Sequence, residues 1–226
     1  MIICLEGIDA CGKDTQTKLL SSKLVETRQR PTHMFSFPKY DSPTGEIVLS
    51  NLKEKWRAGF VPGVGIEEVM PSMRNHPEME DEAHYLNAMV FQVIQTVNRY
   101  EVANHIESTS RISNVVLDRY WPSGWVYGMA DGLDSLWLKR IHEYLPQADF
   151  YILLDVDPQD SVHRRPERRD RYEKQKGFME KVSKLYRRLW HEEWNGPSNS
   201  RWEVINGRGT IEDTHELIMR CVDGLR

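Results

Sequence analysis

An apolar run that breaks into a glycine-lysine loop and then a helix leaves a chain few ways to fold. Here Ile2-Ile3-Cys4-Leu5-Glu6 leads into Gly7-Ile8-Asp9-Ala10-Cys11-Gly12-Lys13, and a helix-forming stretch follows at once. The two glycines allow a tight turn whose successive N–H groups point inward, and the following helix adds its positive N-terminal end, so the segment cradles anions. Lys13 stands where an ammonium can reach the outer phosphates of a nucleotide. The spacing predicts a phosphate-binding loop formed by Gly7, Ile8, Asp9, Ala10, Cys11, Gly12, Lys13, Asp14 and Thr15. A plain strand-turn-helix, with the glycines serving only the turn and Lys13 only the surface, has the same local pattern. One position departs from the usual loop: a Ser or Thr that binds Mg²⁺ normally follows the lysine, and here Asp14 does, with Thr15 one place later.

The rest of the chain alternates strands and helices. Thr15 to about Glu26 carries leucines at 19, 20 and 24 and reads as a helix with one apolar face. His33 to Phe37 reads as a strand stopped by Pro38, delivering Lys39, Tyr40 and Asp41 to a loop. A helix is expected over 44–55, then a long irregular insertion over 56–80, where glycines and prolines recur. The longest helical pattern covers 81–108. Apolar strands follow at 114–118 and 150–156, a helix at 178–194, a last strand and turn at 202–207, and a closing helix over 210–225 with Thr210 as its N-cap. Continuous apolar strands separated by helices predict a parallel sheet covered on both faces, in a single domain over 1–226.

Two further groups of residues carry possible chemistry. Phe91, Gln95 and Arg99 are spaced i, i+4, i+8, so one helix face presents a ring, an amide and a cation. The same spacing also fits a core phenylalanine beside two surface residues. Between Arg164 and Arg171 stand five arginines in eight residues. Such a run is often only a solvated face, but after a strand of a phosphate-loop chain it supplies the positive charge that phosphoryl transfer uses.

With 28% charged residues and a formal net charge of −4, the total charge points to neither a nucleic-acid nor a membrane partner. Cys4, Cys11 and Cys221 lack metal-ligand spacing and fit a reducing compartment. No apolar run has the length of a membrane span, and the first residues lack the basic flank of a signal peptide. A cytoplasmic protein is the expectation.

Four ordered blocks, Leu5 to Gln16, Phe37-Pro38-Lys39-Tyr40, Leu117-Asp118-Arg119-Tyr120-Trp121-Pro122-Ser123, and the arginine cluster ending in Asp170-Arg171-Tyr172-Glu173, make the chain resemble the thymidylate kinases. The resemblance covers nearly the whole chain. It implies a P-loop NTPase fold with about five parallel strands, and transfer of a phosphoryl group from ATP to dTMP with Mg²⁺, within a homodimer. It also implies roles. Gly7 to Thr15 would cradle ATP, with Lys13 on the transferring end; Asp9 would face the acceptor's sugar and the metal. Lys39 and Arg119 would hold the acceptor's phosphate, Tyr40 and Tyr127 would border its sugar, Ser123 and Tyr172 would stand beside it, and Arg99 would read the base. Arg164, Arg165 and Arg168 would form a lid over about 160–175, Arg168 acting in catalysis, and Glu173 would join Asp9 and Asp14 around the metal. Where the family usually places a stacking phenylalanine, four residues before Arg99, this chain has Gln95, with Phe91 one turn earlier. A kinase for another or a modified pyrimidine monophosphate, and a regulatory protein that binds nucleotide without turnover, are the alternative readings.

Overall fold

The computed structural model describes residues 1–54, 77–164, 171–175, 177–194 and 201–224. Five strands form one parallel sheet: β1 (Ile2–Glu6), β2 (Thr32–Ser36), β3 (Asn114–Asp118), β4 (Phe150–Asp155) and β5 (Arg201–Asn206), in the order β2-β3-β1-β4-β5. Parallel neighbours need crossover connections, so helices cover the faces and the inner strands lose water on both sides. Burial follows that logic. All of β1 is buried, and β3 and β4 are buried at every position but the last, whereas the edge strands leave His33, Met34 and Arg201 at the surface.

Helix α1 (Lys13–Arg28) leaves the glycine loop, and α2 (Gly45–Leu52) follows β2. The single helix expected over 81–108 is two, α3 (Pro77–Tyr100) and α4 (Ala103–Ile112). Val102 leaves helical geometry, its N–H turning to the carbonyl of Arg99, while the Glu101 carboxylate accepts from the Thr44 N–H. Pro77, read as a breaker, opens α3, where a missing N–H costs nothing. The expected insertion therefore stops short of residue 77, and its remainder, 56–76, lies outside the described residues, as does residue 55 at the end of the expected helix over 44–55.

Between β3 and β4 run α5 (Trp121–Ala130) and α6 (Ser135–Ile141); α7 (Pro158–Arg164), the short α8 (Arg171–Lys174) and α9 (Phe178–Trp194) precede β5. Helix α5 packs against both α3 and α9, and all of it except Met129 is buried. The closing helix α10 (Ile211–Asp223) carries the expected cap: Thr210 accepts from the Asp213 N–H, and the Asp213 carboxylate accepts from the Thr210 N–H. Register aligns Leu5 with Asp118 and Ser36 with Asp118, so the carboxyl ends of β1, β2 and β3 open onto one edge of the sheet, where such folds place ligands.

Candidate active site

The phosphate loop is built by glycine chemistry at its start. Gly7 has φ +146°, and a Cβ there would lie 2.7 Å from the Leu154 carbonyl oxygen and 2.8 Å from Cys11 Sγ. No other residue fits without displacing β4 or the loop. Lys13 is buried and spans the loop, its Nζ donating to the carbonyls of Ile8 (2.6 Å) and Gly7 (3.0 Å), with Cys11 Sγ at 3.4 Å. Arg164 of α7 ties the far side of the loop to the β5 turn, donating to the carbonyls of Cys11 (3.3 Å) and Gly207 (2.7 Å). A cavity in front of the loop is lined by Asp9, Ala10, Gly12, Lys13, Asp14, Thr15, Asp118, Arg119 and Arg164.

A second cavity lies behind it, lined by Asp9, Phe37, Pro38, Tyr40, Leu52, Gln95, Arg99, Arg119, Ser123, Tyr127 and Tyr172. Asp9 and Arg119 belong to both. They form an ion pair at the junction, with side-chain exposures of 26% and 14%. Arg119 has φ +62°, a left-handed conformation uncommon outside glycine, which turns its side chain back over the loop. Its Nη1 donates to the Gly7 carbonyl (3.0 Å), Ser123 Oγ (3.1 Å) and Tyr186 OH (3.3 Å). Tyr127 OH donates to the other oxygen of Asp9 (2.7 Å). Burial alone would raise the pKa of Asp9, but Arg119, Lys13 and Tyr127 outweigh it and hold the carboxyl below its usual value.

At the closed end of the second cavity, Arg99 is buried, with Nη1 bonded to the Gln95 carbonyl (2.8 Å) and Nε unpartnered. Burial pushes it down to about 10, so it is still charged at neutral pH. His142 backs it across Gly124: a Cβ on that glycine would stand 2.7 Å from His142 Nε2 and 3.6 Å from Arg99 Cζ. Asn98, fully buried, clasps the loop after β2 by accepting from the Lys39 N–H (2.8 Å) and donating to the Lys39 carbonyl (3.0 Å) and Ser42 Oγ (2.8 Å).

The expected residues divide into three groups. Lys13, Thr15 and Arg164 face the first cavity, Tyr40, Gln95, Arg99, Ser123, Tyr127 and Tyr172 the second, and Asp9 and Arg119 face both. Arg165 and Arg168, and the side chain of Glu173, lie outside the described residues. Two residues sit away from the expected place, and a third, Asp14, lines the first cavity but has its charge paired. Phe91 lines neither cavity; it is buried under the Arg171 guanidinium, whose Cζ stands 4.6 Å from its ring centre. Lys39 turns its ammonium to Asp41 (2.6 Å), two residues away, rather than joining Arg119. Asp14 pairs with Lys18 (2.8 Å) one turn along α1, with 67% of its side chain exposed, where it favours the helix dipole more than a metal.

Glu6, Tyr186, Asn98 and Asp118 have positions in the site to which no sequence motif assigns a role. A charged residue closing the otherwise apolar strand Ile2-Ile3-Cys4-Leu5 was a usable signal for Glu6; Tyr186, inside a regular amphipathic helix, offered none. Asp118 at the end of β3 faces the first cavity with a buried, unpartnered Oδ1. Burial raises its pKa, and Lys13 and Arg119 pull it back. Among the described residues no group of three or more His, Cys, Asp or Glu side chains makes a metal cage. Mg²⁺ carried on nucleotide phosphates needs only one or two carboxylates, and the free oxygen of Asp118 fits that requirement. No helix among the described residues is long and apolar enough to cross a membrane.

Comparison with known proteins agrees with this geometry. The thymidylate kinase family model matches residues 70–218. The thymidylate kinase of Schizosaccharomyces pombe is 28% identical over 99% of this chain and 92% of its own, and that of Dictyostelium discoideum 26% over 99% and 85%. A thymidylate kinase structure from Candida albicans aligns with a TM-score of 0.70 over 99% of this chain and 91% of that one; at 20% identity this likeness shows the fold. A glycine-lysine loop, a second cleft joined to it through one ion pair, and a family match over residues 70–218, more than half of the sequence, lead to one assignment: the chain belongs to the thymidylate kinase family.

Proposed function

We propose that the protein transfers the γ-phosphoryl group of ATP to the phosphate of dTMP, giving dTDP and ADP. The observation that carries this reading is the pair of cavities joined at Asp9 and Arg119. One holds the donor's phosphates and the other the acceptor, so an oxygen of the acceptor phosphate meets the γ-phosphorus at the junction. A P–O bond forms there as the bond to the bridging oxygen of ADP breaks. The nucleophile is already an anion, and catalysis is then positioning plus neutralisation of charge.

Each residue has a defined part in that scheme. Lys13 leaves the loop carbonyls for the transferring phosphates, and the inward N–H groups at the start of α1 hold the others. Arg119 faces the acceptor phosphate; Asp9 and Tyr127 fix its approach. Mg²⁺, when bound with ATP, neutralises phosphate charge, and Asp118 would hold it, with Thr15 close by in the same cavity. Arg164, bonded to the Cys11 carbonyl at the wall of the same cavity, adds positive charge beside the transferring phosphates.

The base is read by Arg99, whose unpartnered Nε and buried charge suit a carbonyl oxygen of a pyrimidine. Gln95 lines the same cleft, and its amide favours a second reading, an acceptor carrying a polar 5-substituent. We also place the active form as a cytoplasmic homodimer, supported by the exposed stripe Leu86, Val90, Val93 and Val97 along α3. The test is kcat/KM with ATP for dTMP, dUMP, 5-hydroxymethyl-dUMP, dGMP and thymidine. The reading requires a pyrimidine monophosphate to lead and thymidine to fail; turnover of thymidine equal to that of dTMP would overturn it.

A further inference from the structure

Glu6 is the last residue of β1, fully buried, and lines neither cavity. Besides a thiol contact from Cys4 (3.7 Å), it accepts three hydrogen bonds from N–H and O–H donors: Oε1 from the Tyr120 N–H (2.7 Å), and Oε2 from Ser123 Oγ (2.7 Å) and Tyr186 OH (3.0 Å). Those same two hydroxyls stand 3.1 and 3.3 Å from Arg119 Nη1. A hydroxyl has one proton and two lone pairs, and a guanidinium can only donate. The hydroxyls also stand 2.8 Å apart; with their protons drawn toward the Glu6 carboxylate directly or through one another, each oxygen keeps a lone pair to face Arg119. We propose that Glu6 is a positioning residue for the acceptor side of the site, fixing Arg119 through Ser123 and Tyr186.

The arrangement solves an electrostatic problem. Arg119 already pairs with Asp9, and a second carboxylate in direct contact would spend the charge needed for an incoming phosphate. Interposed hydroxyls orient the guanidinium while keeping the second carboxylate out of direct contact with it. The third bond of Glu6, to the Tyr120 N–H, holds the backbone beside Arg119, whose own φ of +62° needs such support. The device also explains why Tyr186, contributed by α9 far along the chain, reaches the end of β1. Burial raises the pKa of Glu6, while Arg119 and the three hydrogen bonds oppose the rise.

Substitution of the carboxylate breaks the pattern whichever way the new group turns. In Glu6→Gln the amide NH₂ must face either the Tyr120 N–H, a donor, or the hydroxyl pair, whose protons would then swing toward Arg119. Tyr186→Phe removes one of the two hydroxyls and leaves the ring in place, so it serves as the milder variant should Glu6→Gln fail to fold.

The proposal rests on the reading that Arg119 holds the acceptor phosphate, and the experiment separates the two. Dissociation constants for dTMP, thymidine and ATP are measured by calorimetry on wild type and both variants, together with KM and kcat for dTMP. Wild type should prefer dTMP to thymidine. In Tyr186→Phe that preference should shrink by about three- to tenfold, the worth of one ordinary hydrogen bond, and in Glu6→Gln by more, with thymidine and ATP binding unchanged. A wild type without preference for dTMP over thymidine, or without dTMP binding, overturns the acceptor assignment and this inference with it. A clear wild-type preference that both folded variants keep in full, or that Tyr186→Phe keeps when Glu6→Gln does not fold, overturns the positioning role alone.

Discussion

Replacing Asp9 with Asn probes the junction with little change of shape. The amide oxygen can accept from Arg119, and the amide nitrogen can donate to Tyr127 OH, so geometry persists while the negative charge is lost. Removing one partner of a fully buried ion pair costs about 3–5 kcal/mol. This pair is 14% and 26% exposed, and Arg119 keeps Gly7, Ser123 and Tyr186 as partners, which brings the expected cost to about 2 kcal/mol. For a chain of 226 residues that corresponds to a Tm lower by about 4–8 °C. Because Asp9 has a depressed folded-state pKa, its contribution is fully present above its unfolded value of 3.8 and is lost as pH falls through the lower folded value. The Tm gap between wild type and Asp9→Asn should therefore be constant from pH 8 to 5 and close only in strong acid. Coupled measurement of ADP release should show kcat/KM for dTMP reduced by about 10²-fold, the order expected when a preorganised charge arrangement is lost. A variant with unchanged Tm and with kcat/KM within about threefold of wild type would refute the reasoning.

Three other outcomes follow from the same structure. Lys13→Ala should lower kcat by about 10²-fold or more, since the loop loses the cation at the transferring phosphate; near-normal turnover would remove Lys13 from the site. Asp14→Ser should retain or raise activity with Mg²⁺, because the Asp14 carboxylate pairs with Lys18 at the surface; loss of activity would show that it reaches the metal after all. His142 is pushed down to about 3 by burial and by Arg99 beside it, so the unfolded chain takes up its proton first and stability falls as pH drops below 6.5. Between pH 7.5 and 5 that loss is about 2 kcal/mol, and His142→Gln should lack it in urea titrations; equal slopes for the two proteins would contradict the assignment.

The loop and the sheet were legible because they rest on local rules. Gly7 is dictated by backbone space, and the inner strands read as apolar because both of their faces are covered. Helix ends were less so: Pro77 signals a break or a first turn equally well, and the interruption at Val102 depends on the contact of Glu101 with the loop at Thr44. In the site, most residues read from ordered motifs line one of the two cavities, but a motif does not say where a charged side chain finds its partner. Lys39 and Asp14 were captured by nearby charges, Asp41 and Lys18, that the motifs do not include. Glu6 and Tyr186 meet because α9 packs on α5 and brings Tyr186 to the end of β1, a contact across 180 residues that no periodicity reveals.

The central claim is that one phosphoryl group passes between two cavities at Asp9 and Arg119. Incubating the protein with γ-³²P-labelled ATP, Mg²⁺ and dTMP, and separating the products chromatographically, tests it most directly. Label should appear in dTDP, with one ADP for each dTDP and little inorganic phosphate, and ADP release should fall sharply when dTMP is omitted. Label released as inorganic phosphate at the same rate with and without dTMP, or retained in ATP under both conditions, would contradict it.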